Sequence, residues 1–69
     1  MNNEELKEAL LNERPVVYVD PLLGEINYKR VAAIIFEKRR GKIMITAKLE
    51  DVCGHSFLNC LPKAIRFKE

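Results

Sequence analysis

The chain has 69 residues, 48% of them hydrophobic and 32% charged, with a formal net charge of +2. This composition predicts one folded domain and not a disordered segment, with a small core, since a chain of this size buries only about 60% of its unfolded surface. The apolar runs reach at most six residues, which excludes a helical membrane span, and so small a domain has little room for a substrate pocket of ordinary size.

The charge is unevenly spread. Residues 1–13 carry net −3 and residues 14–27 net −1, residues 28–48 carry seven bases and one acid, and residues 49–69 balance. The opening Met1–Glu5 stretch is polar and acidic, the opposite of a secretory leader, which predicts a cytoplasmic protein whose Cys53 and Cys60 stay reduced. No internal repeat or low-complexity segment interrupts the chain.

In chain order, residues 3–12 predict a helix. Asn2 or Asn3 can cap it, Glu5 stands in capping-box position to Asn2, and Glu4, Glu5 and Glu8 suit the positive end of the helix dipole. Leu6, Ala9 and Leu10 form a narrow apolar stripe, and Pro15 ends the segment. Residues 1–13 are thus a helical unit packed on or beside the rest, residues 14–69.

Val16–Val19 predicts a short strand. Asp20 to Asn27 predicts a loop with corners at Pro21 and Gly24 and with Leu22, Leu23 and Ile26 anchored on the core. The strongest signal follows, from Tyr28 to Glu50, where two apolar, β-branched segments flank a charged tip. A three-residue loop, Arg39-Arg40-Gly41, leaves the left-handed position to glycine and sets Ile35 opposite Ile45, Ala33 opposite Ala47 and Val31 opposite Leu49. The alternative, a two-residue Arg40-Gly41 loop, pairs Phe36 with Ile45 and Ile34 with Ala47. It forces Arg40 to positive φ, which disfavours it. Both faces of the first strand are apolar, as expected of a strand covered on both sides. Asp51 to His55 predicts a tight turn, Ser56–Leu61 a fourth strand, Pro62–Ala64 a single helical turn and Ile65–Phe67 a short edge strand.

This order predicts a mainly β fold: a five-stranded SH3-like small barrel with a short N-terminal α-helix, the sheet curling to remove most edges. The segments YKRVAAIIF and GKIMITAKLEDVCGHS also resemble small, mostly uncharacterised proteins from prophages and mobile elements of Gram-positive bacteria. That resemblance implies a fold and a setting, not an activity. The aromatic grooves of signalling SH3 domains and the cages that hold methyl-lysine have no counterpart here. The chain lacks Trp and has only Tyr18, Tyr28, Phe36, Phe57 and Phe67.

Two surfaces are candidates for function. Lys29, Arg30, Lys38, Arg39, Arg40 and Lys42, with Arg66 and Lys68 further along, could neutralise phosphates in a salt-dependent nucleic-acid contact. Against this, alternation divides them between faces, and charges at a hairpin tip are also ordinary edge protection. Leu6 and Leu10 on the helix, with Ile34, Phe36 and Met44 placed on one hairpin face by the three-residue loop, could bind a protein partner or drive self-association if left uncovered. Cys53, His55 and Cys60 fall short of the four ligands of a structural zinc site, and an extended 55–60 segment separates the last two by about 16 Å. Cys60 reads better as a small core residue and His55 as a polar turn residue. No metal, cofactor or catalytic set is therefore expected, and the chain is read as a non-catalytic module that binds another macromolecule.

Overall fold

The computed structural model describes all residues, 1–69. Its helix, α1, spans Asn3–Asn12, and the expected capping box is present. The Glu5 amide donates to the Asn2 side chain at 2.8 Å, and the Glu5 carboxylate accepts from the Asn2 amide at 3.1 Å. Glu13 closes the helix in the left-handed conformation, two residues before Pro15. Ten residues hold a helix only when docked. Leu6 and Ala9 are buried in the core, and the Met1 nitrogen donates to the carbonyls of Pro62 and Ile65, at 2.6 and 3.2 Å.

Five strands follow: β1 Val16–Asp20, β2 Gly24–Arg39, β3 Lys42–Asp51, β4 Phe57–Cys60 and β5 Ile65–Phe67, with a 3-10 turn at Pro62–Ala64. They form one antiparallel sheet in the order β4-β3-β2-β1-β5. The fold is therefore mainly β, as expected. The sheet is not closed: β4 and β5 are its two edges, so the edges expected to vanish by closure remain. The core joins Leu6 and Ala9 to Val16, Val31, Ala47, Leu49 and Ile65. Beside it, Tyr18 and Tyr28 meet edge to face, with ring centroids 6.5 Å apart.

Two expectations fail, each for a local reason. The 20–27 loop is instead a tight hairpin. The Asp20 carboxylate accepts from the amides of Leu22 and Leu23, at 2.7 and 3.0 Å, and Gly24 takes positive φ, so pairing with β1 begins at Gly24. Leu22 and Leu23 ride on the outside of that turn, Leu22 at 92% exposure, and anchor nothing; only Ile26 is half-buried.

The main hairpin turns on two residues, not three. Arg39 pairs with Lys42, and Arg40 and Gly41 have φ of 51° and 79°. Both positive values describe a type I′ turn, whose twist matches that of the flanking strands. That match outweighs the strain of about 1–2 kcal/mol of placing arginine there. Phe36 therefore faces Ile45 and Ile34 faces Ala47. Yet Val31 still faces Leu49, because β2 carries an extra residue, Ala32, between Val31 and Ala33. This bulge resets the alternation, so that Val31 and Ile34, three apart, both face the core. A second irregularity at Lys29 lets the 16-residue β2 bend between its two partners.

Candidate functional site

β2 and β3 outrun their outer neighbours. β1 reaches β2 only over Gly24–Tyr28, and β4 reaches β3 only over Ala47–Glu50. From Ala33 to Thr46 the two strands pair with each other alone, as a two-stranded ribbon. Such a ribbon is marginal by itself. It is held here because its base is part of the sheet and α1 lies over β2, where Asn3, Leu6, Lys7, Ile34 and Phe36 line a shallow cleft of about 150 Å³.

The register sorts the ribbon's side chains. Ile34, Phe36, Ile43, Ile45 and Ala47 share the face toward α1; Ile35, Met44 and Thr46 share the other. Past the end of the helix the first face is bare. Phe36 is 65% exposed and Ile43 69%, and as diagonal neighbours they make one apolar patch. Met44, 42% exposed, stands opposite Glu37 on the reverse face, and so is not grouped with Ile34 and Phe36 as the three-residue loop implied. On that side the Lys48 ammonium lies 4.5 Å from the centre of the exposed Phe57 ring.

Of the other expected protein-contact residues, Leu6 is buried in the core, and Leu10 and Ile34 are half-buried against it. The helix stripe is spent on docking. Ile43 is not among the expected contacts: alternation with Ile45, Ala47 and Leu49 puts it on the core-facing side, and nothing local reveals where the covering helix stops. Exposed Leu22, Leu23 and Val52 lie on turns away from the ribbon.

The six basic candidates divide. Lys38, Arg39, Arg40 and Lys42 gather, exposed, at the ribbon tip, where Arg39 is held by Glu37 at 3.0 Å. Lys29 and Arg30 lie at the far end of the ribbon's first strand and both engage Glu50, at 3.6 and 3.0 Å. The Arg30 hydrogen bond holds the Glu50 carboxyl below its ordinary value, and Lys29 adds to this. Those two cations thus share one carboxylate within the chain, which leaves one positive charge over. Arg66, at the β5 edge, pairs with Glu25.

The cysteines and histidine do not converge. Cys53 and His55 are exposed on a turn that the Gly54 amide and the Asp51 carbonyl close at 2.9 Å, whereas Cys60 is half-buried in β4. Burial pushes the Cys60 thiol up to about 11, the behaviour of a packed residue. No three His, Cys, Asp or Glu side chains are placed to share a metal ion, and no helix is long and apolar enough to cross a membrane. Comparison with known proteins finds no match: no family model fits the chain, and no curated protein or solved structure is significantly similar to it.

Proposed function

We propose that the chain is a non-catalytic module that docks another protein through the distal half of the β2–β3 ribbon. The observation that carries this reading is the bare apolar patch of Phe36 and Ile43 on a ribbon that no other strand flanks. The strand order, with a bent β2 shared between two pairings and a 3-10 turn joining the edges, supports an SH3-like architecture with its curl left open. The small cleft, well under the several hundred Å³ of ordinary ligand sites, is in keeping with a binding role. A cytoplasmic, mobile-element setting is part of the proposal: the free cysteines Cys53 and Cys60 suit a reducing compartment, and the mobile-element part rests on the sequence resemblance alone.

The test compares the parent with Ile43→Asp in affinity isolation and sedimentation, with thermal unfolding as the control for folding. Loss of a specific partner or of self-association at unchanged thermal midpoint supports the reading; identical behaviour of both proteins defeats it.

A second reading, nucleic-acid contact by residues 38–42, draws on Lys38, Arg40 and Lys42, exposed cations at the tip without an acidic partner. Titration with single-stranded and duplex oligonucleotides at two salt concentrations should then shift the amides of 38–42, less at the higher salt. Unmoved amides would dismiss it.

A further inference from the structure

We infer that the ribbon's partner is an extended, acidic polypeptide segment, added as a new strand along the outer edge of β3 between Lys42 and Thr46. This rests on the docking reading above and names the chemistry of the occupant.

The backbone sets the phase of that edge. The Asp51 amide donates to the Ser56 carbonyl across the β3–β4 turn at 2.9 Å, so the polar backbone groups of Asp51 point toward β4. Alternation along β3 turns those of Leu49, Ala47, Ile45 and Ile43 the same way, while Met44 and Thr46 bond to β2. The hairpin end gives the same phase, since a two-residue turn makes Arg39 and Lys42 a hydrogen-bonded pair. β4 pairs with Ala47 and Leu49 and then leaves through Leu61 and Pro62. The N–H and C=O groups of Ile43 and Ile45 are left without a strand to receive them.

This edge carries charge, in Lys42 and Lys48, but none of the steric guards. Proline, a bulge or a covering helix commonly blunts such an edge. Both register shifts here lie toward the base of the ribbon, α1 packs over β2, and Pro62 sits beyond the end of β4. Apolar side chains line both sides of the slot, Ile43 and Ile45 on one face and Met44 on the other. Alternate side chains of an added strand would meet them.

Charge selects the occupant. Residues 37–48 carry five bases, Lys38, Arg39, Arg40, Lys42 and Lys48, against the single acid Glu37. A second copy would bring a second set of these cations to the same edge, like against like. An acidic strand brings the opposite charge. A nucleic acid could match the charge but has no ladder to offer Ile43 and Ile45.

The test uses two capped synthetic heptapeptides, one alternating Glu and Val, the other Lys and Val, added to the isotope-labelled full chain. The Glu/Val peptide should shift residues 42–46, slow amide exchange at Ile43 and Ile45, and lose affinity several-fold on raising the salt; the Lys/Val peptide should do none of this. Ile43→Pro removes an outward donor without costing an internal ladder bond, and should weaken the Glu/Val peptide about fivefold, the worth of one hydrogen bond. Should that variant unfold, the triple charge reversal Lys38→Glu, Arg40→Glu, Lys42→Glu serves instead, and the preference should pass to the Lys/Val peptide. Three results overturn the inference: neither peptide slows exchange at Ile43 and Ile45, both bind alike, or protection there rises with protein concentration alone, which would make a second copy the occupant. The docking reading survives each of them if Ile43→Asp still abolishes partner or self-association.

Discussion

Arg40 and Gly41 decide the register of the hairpin, and they do so through conformations that only one of them takes freely. Gly41→Val should destabilise the protein by about 1–2 kcal/mol, the strain of holding a branched residue at positive φ. Arg40→Asn should raise stability by about 0.5–1 kcal/mol, because asparagine accepts the left-handed region and suits the first position of a type I′ turn. Denaturant midpoints measure both, and an Arg40→Asn variant less stable than its parent would argue for another turn. Asp20 acts on the same scale. Its hydrogen bonds from Leu23 and Leu22 hold its carboxyl below the ordinary value, so its contribution is present above the unfolded-state pKa and is lost as pH falls through the folded one. Asp20→Ala should therefore be less stable than the parent at pH 7, with the gap closing as pH falls below about 4. An unchanged gap in a pH series of thermal scans would remove Asp20 from that role.

Among the elements, the ones with a signature in adjacent residues were legible. The Asn2–Glu5 capping box marks the helix start, Pro62 opens the 3-10 turn, and both spans agree with the sequence reading. The β2 bulge had no such signature: Ala32 and Ala33 are chemically identical neighbours, and which one is extra depends on what both strands pack against. The Asp20 hairpin is hidden in the sequence because Leu22 and Leu23 look like core residues, although the geometry of a tight turn leaves them outside. Deleting Ala32 should place either Val31 or the Ile34 side of the ribbon out of phase with the core, lowering the thermal midpoint markedly or preventing folding. A deletion variant with parental stability would show that the bulge sets nothing. Leu49→Ala, at a fully buried site, should cost about 2–5 kcal/mol, whereas Leu22→Ala should stay within about 0.5 kcal/mol. Equal losses at the two sites in chemical denaturation would misplace the core.

For the molecule as a whole, the candidate site was legible in its charge and only half legible in its shape. The basic tip follows directly from Lys38-Arg39-Arg40-Gly41-Lys42. The bare patch depends on how far a ten-residue helix reaches over a longer strand, a tertiary fact that residue order does not encode. The acidic N-terminal helix spends Leu6 and Ala9 on the core and leaves the basic tip uncovered. The result is a small body with a packed base and a bare, cationic arm, and that arm is the docking site proposed above.

Residue-resolved amide exchange along β3, in dilute protein without any partner, tests this picture most directly. The open edge predicts alternation: slow exchange at Met44 and Thr46, whose amides bond to β2, and fast exchange at Ile43 and Ile45, whose amides face solvent. Slow exchange at all four positions would mean that the edge is already covered, and the arm would not be the free surface described here.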